Sequence, residues 1–216
     1  PDRWRPINWK VDGREYSWER PISTQQVASV FVSQSRADVP DEIGGVYWYG
    51  LDNPYTNFFI PLYTSITAIP EAYTKGSMRA FSHDSAWWMF NFVANYANLR
   101  YRDMIVDIQK VQKEIEDQEF ALQPEIEQTA RGLLASKRDL IPVFLTNYCL
   151  STASTNLQRW VDLAELLITK YNDGYVQDEK GRPREMGYPE EWLRQEIKKN
   201  PERFRLKEGS GSGKEL

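Results

Sequence analysis

Few residues in this chain could do covalent or proton-transfer chemistry. It has one cysteine, Cys149, and one histidine, His83. Cys149 lies between Tyr148 and Leu150 in an apolar stretch. A nucleophilic thiol needs a helix N-terminus or a cationic neighbour to hold the thiolate. Neither is indicated, so Cys149 is expected to be a buried structural thiol. His83-Asp84-Ser85 has the three residue types of a hydrolytic triad, but triad geometry is spatial and adjacent side chains cannot adopt it. The segment reads instead as a helix cap. One His and one Cys give too few soft ligands for zinc, and no GxGxxG, P-loop or EF-hand pattern occurs. Neither metal nor cofactor is therefore expected. Glu114 and Asp117 fall on a polar helix face and read as solvation rather than as acid–base groups. The turn Asp52-Asn53-Pro54-Tyr55 differs from these. It sets polar side chains between aromatic strands, where loops commonly carry function, so Asp52, Asn53 and Tyr55 are candidate substrate-binding residues.

The elements that must position these residues fall into two patterns. Val27–Gln34, Val46–Gly50 and Asn57–Tyr63 are rich in β-branched and aromatic residues and are separated by Pro, Gly and Asp-Asn turns. They read as an antiparallel meander, with Pro61 marking an edge or a bulge. Both faces look apolar, so another layer should cover the sheet. The aromatics Tyr47, Trp48, Tyr49, Tyr55, Phe58, Phe59 and Tyr63 read mainly as core between that sheet and its cover.

The pattern becomes helical from Ser82, with Ser82 or Asp84 as cap. Ala97, Tyr101, Met104, Ile108, Val111 and Ile115 form one stripe along a helix. Pro124 is expected to start a second, shorter helix reaching Leu134. A third runs from about Asp139 to Tyr171 with Pro142 in its first turn, stopped by Asn172-Asp173-Gly174. The expected organisation is a connecting segment 1–26, strands over 27–81, a helical layer 82–174, a loop and short helix 175–207, and a flexible tail 208–216.

Composition bounds the class. The chain has 216 residues, 41% of them hydrophobic, with 8 Trp, 12 Tyr and 9 Phe, a composition able to build a core. A net charge of −4 gives no basic footprint for nucleic acid. No apolar run approaches the roughly 18 residues that would span a membrane. No nucleic-acid or membrane partner is expected. Compartment stays open between cytoplasmic and exported.

Several motifs occur in order: R-P-I-S-T-Q-Q at Arg20–Gln26, V-S-Q-S-R at Val32–Arg36, V-P-D-E-I-G-G-V-Y-W at Val39–Trp48, F-F-I-P-L-Y-T at Phe58–Thr64, and D-S-A-W-W-M-F-N-F-V-A-N-Y-A-N-L-R-Y at Asp84–Tyr101. Together, over residues 20–170, they resemble the C-terminal part of the cysteine dipeptidases of the N-terminal-nucleophile (Ntn) hydrolase superfamily, relatives of the secernins. The resemblance implies an α+β fold, with late antiparallel strands of an αββα sandwich followed by a long-helix layer. It also implies hydrolysis of short peptides by an N-terminal cysteine whose own α-amine is the base. Pro1 offers no thiol, so the expected partner is the N-terminal part of the same protein carrying the nucleophile. The chain alone is expected to be inactive, and a homo-oligomer is possible. By its place in R-P-I-S, Arg20 resembles the arginine beside the nucleophile in related enzymes. The competing expectations are a non-catalytic helical interaction or dimerisation module, or another amidase of the same superfamily.

Overall fold

A computed structural model describes residues 8–17 and 23–206. The chain divides into two compact units, Pro1–Tyr171 and Asn172–Leu216.

The first unit contains a two-stranded hairpin, β1 (Asn8–Val11) and β2 (Arg14–Ser17), turned by Asp12-Gly13. Its main sheet is the antiparallel meander β3 (Ser29–Ser35), β4 (Gly45–Leu51) and β5 (Ile60–Tyr63), in that spatial order. A one-turn helix, α1 (Asp41–Gly44), joins β3 to β4. The expected strands form with ends shifted by one to three residues. Pro61 sits in β5, an edge strand, opposite Trp48. There its missing N–H costs no ladder bond on the open side.

Alternation along β4 separates two faces. Val46 and Trp48 are buried against Ala130, Ile141, Leu145 and Cys149 of the helical layer. Tyr47 and Tyr49 alternate with them and stack on the other face, where Phe31 of β3 joins Tyr47 at 4.7 Å between ring centroids. Phe31 remains 55% exposed. Helices therefore cover one face as expected, while the β3 end of the other is open to solvent.

The helices are α2 (Ala86–Tyr96), α3 (Tyr101–Leu133) and α4 (Ile141–Lys170). Ser85 caps α2, its hydroxyl accepting from the Trp88 amide. Of the expected caps, Ser82 lies about one turn and Asp84 one residue too early: the Ser82 hydroxyl instead accepts from the Asp84 amide in a local turn. The stripe from Ala97 to Ile115 does not ride on one continuous helix. A short 3-10 turn at Ala97–Leu99 and a non-helical Arg100 break it. Arg100 pairs at 2.7 Å with Asp103 in the first turn of α3. Ala97, Met104, Ile108 and Ile115 are nonetheless buried on both sides of the break.

Pro124 does not begin a new helix, because α3 runs through it. An interior proline costs about 3 kcal/mol or more. Here Ile115, Ile108 and Met104 on one side and Ala130 on the other are all buried, so packing holds both halves of α3 in place. The aromatic core is anchored by Phe58, Phe90 and Trp160, whose centroids lie 4.9 to 5.5 Å apart. Burying each such ring contributes about 2–3 kcal/mol.

The second unit opens with a chain reversal at Asp173 and Gly174, both at positive φ, which ends α4 where expected. A small hairpin follows, β6 (Val176–Gln177) with β7 (Pro183–Arg184), and then α5 (Glu190–Lys199). The hairpin is closed by Asp178, whose carboxylate accepts from the amides of Lys180 and Arg182.

Candidate functional site

The segment 52–57, between β4 and β5, is the most tightly built polar turn of the first unit. Asn53-Pro54-Tyr55-Thr56 form a turn closed by the Thr56 amide donating to the Asn53 carbonyl at 3.0 Å, with proline at the position where its fixed φ fits. The Asn53 side-chain oxygen accepts from the Tyr55 amide at 2.9 Å, an arrangement that asparagine favours. It also accepts from the Ser23 hydroxyl at 2.9 Å. The turn is thus tied to the segment that follows R-P-I.

Asp52 is the unusual member. Its φ is +62°, in the left-handed region that non-glycine residues seldom occupy. Its side chain is 1% exposed. One carboxylate oxygen accepts from the Asn53 amide at 2.7 Å and the other from the Asn91 amide nitrogen of α2 at 2.7 Å. No salt bridge joins it to a cation among the described residues. Burial raises its pKa above the ordinary aspartate value, and the bonds from Asn91 and Asn53 oppose this in part. Positive φ and an unbalanced buried carboxylate each cost free energy, a combination that points to a purpose other than stability.

Three further contacts fix the turn. Gln112 of α3 donates to the Pro54 carbonyl at 3.1 Å. Asn57 donates to the Leu51 carbonyl at 3.0 Å, and its own side-chain oxygen is buried with no partner. A Cβ at Gly50 would lie 2.6 Å from the Asn57 side-chain nitrogen, so only glycine fits beneath that amide. Asn95 donates to the side-chain oxygen of Asn91 at 3.0 Å, one helical turn away, and holds its orientation.

The structure therefore places Asp52, Asn53 and Tyr55 in one turn and adds as its supports Ser23, Asn57, Asn91 and Gln112, which sequence reasoning missed. Asn91 had a legible signal. It lies four residues before Asn95 in a helix otherwise lined by Met89, Phe90 and Val93. Tyr55 is 56% exposed and forms the outer lip of the turn. Arg20 lies outside the described residues.

The remaining candidates lie away from this chemistry. Cys149 is wholly buried in α4 with its thiol pushed up to about 11 by burial, so it is protonated and shielded at neutral pH. His83 is exposed against the edge of the Phe81 ring, and the Ser85 hydroxyl donates to the Lys75 carbonyl. No triad forms there. Glu114 and Asp117 are exposed, the latter paired with Lys113. Among the described residues no cluster of three or more His, Cys, Asp or Glu could hold a metal, and no helix is long and apolar enough to cross a membrane.

Comparison with known proteins gives these features a context. Dipeptidase A of Lactobacillus helveticus is 31% identical over 83 residues, 38% of this chain and 17% of the relative. Probable dipeptidase B of Lactococcus lactis subsp. lactis (strain IL1403) is 30% identical over 89 residues, 41% of this chain and 18% of the relative. Probable dipeptidase B of Streptococcus pyogenes serotype M1 is 31% identical over 68 residues, 32% of this chain and 13% of the relative. The matched stretches span less than a fifth of each relative's length. The model of Peptidase family C69 matches residues 4–114, just over half of the chain, and includes the whole Asp52–Asn57 turn. The chain belongs to Peptidase family C69.

Proposed function

We propose that this chain forms the late strands and helical layer of a cysteine dipeptidase of Ntn type. In this reading the nucleophile is an N-terminal cysteine in another part of the protein, and the Asp52–Tyr55 turn meets the substrate. The observation that carries the reading is Asp52: a buried carboxylate with no cation among the described residues, at positive φ and bonded by Asn91 of α2, inside the stretch matched by a peptidase family. The relatives' names supply the substrate class.

A dipeptide is a zwitterion with a charge close to either side of its scissile bond. An enzyme selecting it needs a fixed anion and a fixed cation near the nucleophile. An ionised Asp52 under the Tyr55 lip supplies a negative potential: at 5 Å and an effective dielectric of 20, two unit charges interact by about 3 kcal/mol. Arg20, three residues before Ser23, supplies the cation. It would also lower the pKa of a neighbouring thiol. The thiolate attacks the peptide carbonyl, the α-amine relays the proton to the leaving amine, and water releases the acyl group.

The open end of the sheet fits the same reading. β3 is an edge strand with Phe31 and Val32 both more than half exposed, a surface suited to the remainder of a catalytic domain. The test is dipeptide hydrolysis by the full-length protein. Arg20→Ala should lower turnover by orders of magnitude with an unchanged circular dichroism spectrum, and this chain alone should be inactive. Turnover by residues 1–216 alone would sink the proposal, and normal turnover by Arg20→Ala would remove that residue from the site.

A further inference from the structure

α3 carries two buried carboxylates that the proposed peptidase site does not use, and the fold treats them differently. Glu127 receives a cation: both of its oxygens lie within 2.8 Å of the Arg36 guanidinium. Glu119, two turns earlier on the same face and 1% exposed, receives only neutral donors. One oxygen accepts from the Tyr148 hydroxyl at 2.8 Å and the other from the Asn156 amide at 2.8 Å. No ion pair reaches it among the described residues. A carboxylate has about four acceptor positions, so roughly half of its capacity is unspent and its charge is unbalanced.

Glu119 also lines a cleft. Between α3 and α4 lies a cavity of about 420 Å³, within the range of small-molecule sites. Leu122, Ile126 and Phe144 supply apolar wall, and Tyr148 and Asn156 flank the carboxylate. Leu122 is 36% exposed, so the cleft is reached from solvent.

We propose that the cleft between α3 and α4 binds a primary ammonium group carried on an apolar chain, with Glu119 as its counter-ion. The chemistry fits this ligand. Each Glu119 oxygen accepts one bond and keeps one acceptor position, enough for the compact, three-donor head of a primary ammonium. The apolar wall takes the alkyl chain.

The test is calorimetric titration of the full-length protein with n-hexylammonium and, as neutral isostere, n-hexanol. The amine should bind at least tenfold more tightly, and Glu119→Gln should erase that preference. Ser151→Phe, which fills the cleft from its exposed rim without touching the carboxylate, should abolish amine binding. A third arm uses Nα-acetyl-lysine amide. Binding equal to that of hexylammonium identifies the natural source as a lysine side chain, and binding of hexylammonium alone identifies a free aliphatic amine. Equal affinity for amine and alcohol, or binding of neither, would overturn the proposal. So would an undiminished preference in Glu119→Gln. Should that variant not fold, amine binding retained by Ser151→Phe is the overturning result. The readout is binding, so loss of the peptidase proposal would leave it standing.

Discussion

Replacing Glu127 by alanine should be among the most costly single changes in the first unit. Its carboxylate joins three elements. It takes two contacts from Arg36, at 2.8 and 2.7 Å, just beyond β3. It accepts from the Tyr63 hydroxyl of β5 at 3.2 Å and from Gln123 of α3 at 3.0 Å. The acid is 9% exposed and the guanidinium 22%. Alanine would leave Arg36 with only its bond to the Ile43 carbonyl and would strip the Tyr63 hydroxyl of its acceptor. Removing one partner of a buried pair costs about 3–5 kcal/mol, and the partial exposure of Arg36 places the expected loss near ~3 kcal/mol. Urea unfolding followed by tryptophan fluorescence reads it directly, because Trp48 donates to Gln34, which itself contacts Gln123. The double variant Arg36→Met/Glu127→Leu should recover most of the loss, since apolar replacements of similar volume relieve the desolvation of both charges. A loss below about 1 kcal/mol for Glu127→Ala, or a double variant no better than the single one, would refute the view that this pair locks sheet to helix.

Three other outcomes follow from the structure. Cys149, with its thiol pushed up to about 11, should react with a thiol reagent only as fast as the protein unfolds, and Cys149→Ala should leave the proposed peptide hydrolysis by the full-length protein unchanged. Asp52 has a folded pKa raised by burial, so it favours the folded state below the ordinary aspartate range and that advantage is lost as pH rises through the folded value. Stability of the wild type relative to Asp52→Asn should therefore fall as pH rises above the ordinary aspartate range, and a difference that grows in favour of the wild type would contradict the assignment. Pro124→Ala restores an amide to the interior of α3 at an exposed position and should raise stability by up to about 3 kcal/mol in the same urea assay.

Much of this architecture could be read from residue order, because alternation and 3.6-residue periodicity are local. The meander, the edge position of Pro61 and the Asn172-Asp173-Gly174 stop are all of this kind. The misplaced cap and the invisible break at Arg100 show where local reading ends. Several serines and acids precede Ala86, and only the contact with the Lys75 carbonyl selects Ser85. Pro124 misled because its cost is local while the packing that overrides it comes from other elements. One signal was present and unread. The stripe Met104, Ile108, Ile115 continues in phase onto Glu119, which marks that acid as buried. Within the turn, Asp52 and Asn53 stood out as polar groups between aromatic strands. The partners of Asp52, Pro54 and Asn53, which are Asn91, Gln112 and Ser23, come from 39, 58 and 30 residues away, a distance that periodicity cannot bridge.

The open edge of β3 has a consequence for the protein's behaviour in solution. Its seven residues, Ser29–Ser35, carry no charge and no proline, and among the described residues no strand lies beside their outer backbone groups. Such a segment is a template for a second copy of itself. Natural edges are commonly guarded by a nearby lysine or arginine, but the first charge after this strand, Arg36, is turned inward to Glu127. Locking the sheet to α3 thus disarms the gatekeeper. Wherever this strand is left uncovered at high concentration, the expected failure is edge-to-edge association of correctly folded copies, with each molecule retaining its native core.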